Sequence, residues 1–190
     1  MTHHVIVALS VLGVIGQVLA VLLLLTGIAW LVGLRGPGDH LRAWVEGYEL
    51  WIVFAISSIA TGGSLFFSEI ANFPPCELCW YQRICMYPLT IITLLAALDN
   101  DRVVCRYLLP LPLVGAGVSV YHLLVENGVV EQARACLISA PGGCAVKWIN
   151  EFGFVTIPTL ALVGFVLLIE FLALAAADSS EPAATLAADG

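Results

Sequence analysis

The run Cys76-Glu77-Leu78-Cys79-Trp80-Tyr81-Gln82-Arg83 combines a vicinal dithiol with a cation one helical turn further on. Two cysteines separated by two residues can close a small disulfide whose thiolate pKa and redox poise are tunable, the property of a redox centre rather than a structural staple. Pro74 and Pro75 come directly before the pair. Proline is tolerated in a first helical turn, so the spacing predicts that Cys76 and Cys79 lie at the start of a helix whose free N–H groups stabilise thiolate. Arg83 follows Cys79 at i+4, on the same face. A second pair, Cys136 and Cys144, stands sixty residues on, separated by the seven residues Leu137–Gly143 that include Pro141, Gly142 and Gly143.

The elements that carry these residues must lie in a membrane. Of the 190 residues 61% are hydrophobic and only 11% charged, and the mean hydropathy is +1.00; about a quarter of a soluble domain is charged. The net charge of −7 says little about partners, since several acids fall in the tail after Ala177 and the rest are scattered through loops. No basic cluster suits nucleic acid, and no Gly-rich phosphate loop or helical repeat is present. Five apolar segments, roughly 5–34, 50–70, 80–98, 103–125 and 153–176, approach or exceed the ~20 residues that cross a hydrocarbon core. The first carries no charge from Val5 to Leu34, no basic leader and no convincing small-residue cleavage site, which predicts a retained helix. Its Gly13, Gly16, Gly27 and Gly33 offer close helix packing, although glycine is common in membrane helices.

Basic residues set the orientation. With 35–49 and 99–106 on the cytoplasmic side, Arg35, Arg42, Arg102 and Arg106 satisfy the positive-inside rule. The connections 71–79 and 126–152 are then outside, and they hold Cys76, Cys79, Cys136 and Cys144, on the side where disulfides persist. Five spans place the N-terminus outside and the tail inside. Cys85, within a helix, reads as a small hydrophobe, and Cys105 falls on the reducing side, so neither joins the redox chemistry.

The string Cys76 to Arg83, continued by Ile84-Cys85-Met86-Tyr87-Pro88, resembles the signature of the disulfide bond formation protein B (DsbB) family, in particular its shorter BdbC-like branch. The likeness extends through Tyr121-His122, Cys136 with Cys144-Ala145-Val146-Lys147-Trp148, and Gly153-Phe154-Val155-Thr156-Ile157-Pro158, over roughly residues 48–175. It implies an all-α integral membrane protein: a four-helix redox core over 48–176, an additional N-terminal membrane helix and cytoplasmic connection over 1–47, and an acidic, disordered tail over 177–190. Residues 1–47 depart from the family pattern. The resemblance further implies an enzyme of a bacterial cell (inner) membrane that reoxidises a DsbA-like, thioredoxin-fold dithiol oxidase outside the cytoplasm and reduces a quinone of the membrane pool, ubiquinone or menaquinone.

By that resemblance Cys136 is attacked by the partner's thiolate, its disulfide mate Cys144 exchanges with Cys76, and Cys79 delivers the electron pair to the quinone. Such a relay needs one mobile, accessible pair and one pair held beside the acceptor, and the Pro-Gly-Gly spacer supplies the mobility. Arg83 is expected to hydrogen-bond a quinone carbonyl and to stabilise the negative charge that develops there and on Cys79, against the plainer role of an interfacial anchor. His122 is expected at the quinone as a contact or proton relay rather than a simple interfacial residue. Trp80 is the aromatic expected to border the quinone, with Tyr81 and Tyr87 as interfacial or packing rings. Glu77 reads as a solvated loop acid, and Trp148 as part of a short stretch, Ala145–Phe152, resting on the membrane.

Other classes fit parts of the pattern. A structural zinc site with four thiolate ligands could use all the outer cysteines, though such sites are compact knuckles and no metal is expected. A vitamin K epoxide reductase-like enzyme shares loop cysteines feeding a C-x-x-C pair and a quinone, but there the C-x-x-C comes late in the helical order. A non-enzymatic membrane protein with structural disulfides is the third. Metal content, quinone absorbance and disulfide lability separate them.

Overall fold

The structure, a computed structural model, describes residues 2–33 and 35–188; Leu34 and the last two residues, 189–190, to which the first span and the tail were expected to extend, lie outside the described residues. Its elements are α1 (Thr2–Leu31), α2 (Arg35–Val45), α3 (Glu49–Leu65) running on into a π-helical turn (Phe66–Ile70), α4 (Glu77–Asp99), α5 (Val104–Leu108), α6 (Pro110–Glu126), α7 (Arg134–Ser139) and α8 (Ile157–Ala188). Among the described residues the one β-type pairing is an isolated bridge, Glu151 with Val155. Five helical stretches are long and apolar enough to cross a membrane: Thr2–Trp30, Glu49–Ile70, Glu77–Asp99, Val104–Glu126 and Ile157–Ala177. The protein is an all-helical, multi-pass membrane protein, with spans close to those expected.

Local chemistry explains the boundaries. α4 ends at Asn100, which takes the left-handed conformation (φ 51°) that closes a helix at little cost for asparagine. The fourth span, expected as one helix, is divided into α5 and α6 before Pro110, which has no N–H to continue the ladder. α8 continues to Ala188, into the stretch 177–190 expected as an acidic, disordered tail.

α3 packs on α4 and α8, and α6 packs on α8 and α4, so these four helices close a ring. Its centre is apolar: Val53, Leu89, Phe165, Leu168 and Leu172 are fully buried. The absent side chain at Gly115 admits the ring of Phe165, whose Cδ1 would lie 2.8 Å from a Cβ placed there. Between α3 and α4, half-buried Thr61 and Thr90 share a 2.9 Å hydrogen bond, a contact that suits a membrane setting.

α1 lies outside this ring, against α8. Of the glycines in the first span, Gly13 faces Leu160 and Gly16 faces Val163, while among the described residues nothing lies within 4 Å of a Cβ placed at Gly27 or at Gly33, just past the helix end. Leu9 in turn lies against Gly63 of α3. α1 therefore runs parallel to α8 and antiparallel to α3, and its N-terminus lies at the end of the bundle that carries both cysteine loops. At the opposite end Arg102 pairs with Glu49 at 3.5 Å, tying the α4–α5 turn to the start of α3.

Candidate active site

Cys76 is the N-cap of α4 rather than a helical residue: its backbone is extended (φ −75°, ψ 172°) and its sulfur accepts a hydrogen bond from the Cys79 N–H at 3.4 Å. An N-cap side chain normally satisfies the N–H of the third helical residue with oxygen, and here sulfur takes that place. Pro74 and Pro75 thus shape the extended approach and lie outside the helix. Both residues are thiols, with sulfurs 2.8 Å apart. Donation from Cys79 and the His122 imidazole at 3.7 Å outweigh burial and push the Cys76 thiol well below the usual thiol range.

The second pair is a disulfide, Cys136–Cys144, with Cα atoms 5.3 Å apart. Expected to be accessible and mobile, it is instead closed in: each cysteine is 1% exposed. Cys136 lies on the short α7, and the Ser139 hydroxyl of that helix accepts from the Glu77 N–H (3.0 Å) while donating to the Cys136 carbonyl (3.1 Å). The Cys144 N–H donates to Gln132 Oε1 at 3.0 Å. The return turn needs Gly142 and Gly143 at φ +82° and +74°, a conformation that side chains disfavour. With Cys136 and Cys144 bonded to each other, the four-cysteine zinc reading loses two of its ligands. Cys76, Cys79 and His122 still offer three donor atoms within 4.8 Å of one another, a set that a thiophilic ion could use.

His122 stands between the two pairs. Its Nε2 is 3.1 Å from the Cys144 carbonyl and 3.7 Å from Cys76 Sγ, and its Nδ1 is 3.5 Å from Gln82 Nε2. Ser119 donates to the Gly115 carbonyl (2.9 Å) and so accepts from Gln82 Nε2 (3.1 Å). The Gln82 amide nitrogen is thereby turned toward Nδ1, which must accept, leaving the proton on Nε2 facing the Cys144 carbonyl and Cys76. Glu126, also buried, accepts from Thr156 at 2.8 Å and lines the small cavity shared by Cys76, Cys79, His122 and Cys144.

A much larger cavity of about 500 Å³ lies on the other side of Cys79. Cys79, Trp148 and Ile157 line both. Arg83 projects into the large one, where its Nε and Nη2 donate to the hydroxyl and carbonyl of Ser64, each at 3.0 Å, and Tyr87 donates to the same hydroxyl at 3.3 Å. Phe67, Phe73 and Trp148 stack in sequence at 6.3 and 5.5 Å between centroids, along the outer part of this cavity. The stretch Ala145–Phe152 is thus a turn and extended segment whose Trp148 points inward onto Phe73. The π-helical turn at the end of α3 contributes Phe67 to that stack, and π turns recur at functional sites.

The other residues singled out in the sequence fall as follows. Trp80 is 50% exposed and lies against Arg83, with the guanidinium carbon 5.3 Å from its ring centroid; it is not among the residues lining the large cavity. His122 likewise lines the small cavity and not the large one. Cys85 and Cys105 are packed in the apolar centre of the ring, away from the four outer cysteines. Ser64, Gln82, Ser119 and Gln132 complete the site without having been expected. Gln82 could have been suspected from its place in the C-x-x-C run; the other three come from distant segments and carry no local signal.

A sequence profile of the family described as disulfide bond formation protein DsbB matches residues 48–175, which takes in the four-helix ring and both cysteine pairs and leaves out α1 and α2. Disulfide bond formation protein C of Bacillus subtilis is 43% identical over 139 residues, 70% of this chain and 94% of the relative. A probable disulfide formation protein of Deinococcus radiodurans is 38% identical over 133 residues, 65% of this chain and 86% of that protein. No solved structure matches. With two thirds of its length matched to the profile, and with both cysteine pairs inside the match, this chain belongs to the DsbB family, membrane oxidoreductases of disulfide bond formation.

Proposed function

We propose that the protein draws electrons from a thioredoxin-fold, DsbA-like dithiol oxidase outside the cytoplasm of a bacterial cell and passes them through its two cysteine pairs to a membrane quinone. The observation that carries this reading is the position of Cys79, at once the partner of Cys76 and part of the wall of a large apolar cavity holding Arg83.

The partner's thiolate attacks Cys136, forming a mixed disulfide and releasing Cys144 as thiolate; the partner's second thiol then completes its own disulfide and frees Cys136. Cys144 attacks Cys76 of an oxidised Cys76–Cys79 pair and releases Cys79, after which Cys136 displaces Cys76 and restores the loop disulfide. Two electrons now reside on Cys76 and Cys79, and they leave through Cys79 as that disulfide re-forms. The low thiol pKa of Cys76 stabilises the reduced pair, which makes its disulfide a strong oxidant and drives electrons inward. His122, with its Nε2 proton toward Cys76, hands protons to and from the departing sulfur.

The residues present suit a quinone: the cavity is apolar along its length and polar at one end, where Arg83, Ser64 and Tyr87 gather beside Cys79. A bound quinone supplies a two-electron, two-proton acceptor. Arg83, held by Ser64 and flanked by Trp80, binds and orients it and compensates developing negative charge. We assign the redox end to the oxidising side, a reading that the basic connections on the opposite side favour.

The test is to add a reduced DsbA-like oxidase and a quinone to the purified protein in detergent, expecting one quinone reduced per partner dithiol oxidised. Arg83→Ala should raise the apparent KM for quinone roughly tenfold or more while partner-to-Cys136 exchange continues. Partner oxidation without quinone reduction in the unmodified protein would overturn the acceptor reading, and an unchanged KM in Arg83→Ala would return Arg83 to the part of an interfacial anchor.

A further inference from the structure

The large cavity is not built by the family-matched ring alone. Its wall includes Leu9, Leu12, Gly13, Gly16 and Leu19 of α1, a stripe at helical spacing from a helix that the family profile does not reach. Resting on the quinone reading above, we propose that α1 completes the acceptor site, and that the isoprenoid tail of a long-tailed quinone lies in the channel between α1, α3 and α8.

The shape of the cavity supports a chain rather than a ring as occupant. Its lining spans Leu9 to Leu19 on α1, Ile52 to Ser64 on α3 and Ile157 to Phe171 on α8; at the rise of an α-helix these stretches measure about 15, 18 and 21 Å. Polar groups cluster at the Cys79 end, and the α1 residues that line the rest are all Leu, Ile or Gly. A ligand with a polar head and a long apolar chain matches that gradient. The channel is also sterically defined: a Cβ at Gly16 would lie 2.9 Å from Val163 Cγ1, so the absence of side chains at Gly13 and Gly16 seats α1 directly on α8. Ile15 and Leu19 are partly exposed while lining the cavity, which leaves it open on the side a membrane-dissolved chain would enter.

The test compares a long-tailed quinone with a tail-less one on the full-length protein. Ile15→Trp, which crowds the channel, should raise the ratio of KM for the long-tailed quinone to KM for the tail-less one at least threefold, whereas Val18→Trp, on the same helix and outside the lining, should leave that ratio unchanged. A photoreactive group at the end of the tail should label Leu12 to Leu19 in the unmodified protein, which keeps the inference testable if a substitution unfolds the chain. An unchanged ratio in Ile15→Trp, with both quinones reduced by the unmodified protein, overturns the inference and leaves the acceptor reading standing. Label on α1 that excess long-tailed quinone fails to displace and phospholipid displaces identifies an acyl chain in the channel and also overturns it. Failure of the unmodified protein to reduce either quinone overturns the acceptor reading and this inference with it.

Discussion

Two groups of buried cysteines in this protein have opposite characters. Cys85 and Cys105 sit in the apolar centre of the helix ring, among leucines and phenylalanines; Cys76, Cys136 and Cys144 sit in a second cluster at one end, equally hidden from solvent. What separates them is polar company. The end cluster holds an imidazole, a buried glutamine, a helix N-terminus and a second sulfur, and each of these acts on Cys76, directly or through His122. Cys85 is surrounded by packing, and Cys105 lies near the charges of Asp101, Arg102 and Glu49 at the far end rather than beside a second sulfur. Burial of a thiol therefore does not decide its chemistry; the donors around it do.

The sharpest way to break this contrast is to remove sulfurs from each region in turn. Cys79→Ala should lower dithiol oxidation by roughly 10³-fold or more, since no other group can take up the electron pair, whereas Cys85→Ala and Cys105→Ala should retain activity. Partner oxidation measured on the three variants checks this, and loss of activity in a folded Cys105→Ala protein would mean that the central thiols take part.

A smaller effect concerns acidity. Cys76 in the reduced protein should be alkylated as thiolate well below the ordinary thiol range, and His122→Phe should move the alkylation midpoint upward by ~1–3 pH units, because the imidazole N–H facing its sulfur is lost. The sign for stability follows from the depressed value. The stabilisation of the reduced protein is complete above the ordinary thiol pKa of 9.0 and declines as pH falls through the depressed value of Cys76. Melting of reduced and oxidised protein across that window checks it, and a pH-independent difference between the two would contradict the assigned thiolate.

The smallest effect sharpens the comparison from the packing side. Gly115→Ala places a methyl against the Phe165 ring and should cost ~1–3 kcal/mol of stability. Gly115 also supplies the carbonyl that anchors Ser119, so the Cys76 alkylation midpoint should shift by far less than in His122→Phe. A shift as large would show that the centre and the end cluster are one electrostatic unit.

Much of this arrangement was legible in the chain. Hydropathy located five spans, and the placement of arginines and cysteines set the four loop cysteines apart from Cys85 and Cys105, which the fold also keeps apart. The C-x-x-C spacing put the pair at a helix start, although the N-cap role of Cys76 depends on a backbone angle that no spacing encodes. Ser64 and Gln132 were illegible because they act through space, from a helix end and a loop whose serine and glutamine look ordinary. The break at Pro110 was readable but masked by uninterrupted hydrophobicity. The closure of the Cys136–Cys144 pair was hidden for a different reason: proline and glycine predict a turn, and do not say whether the turn is docked.

That docking carries a kinetic consequence. With Cys136 covered and α7 pinned to Glu77 through Ser139, the proposed attack of a partner thiolate on Cys136 requires this short segment to lift away first. The opening rate then sets a ceiling on turnover that no concentration of partner can exceed. A partner that binds the lifted segment shifts that equilibrium in its own favour, and a small thiol such as glutathione, with no surface to hold the segment open, meets a closed door most of the time.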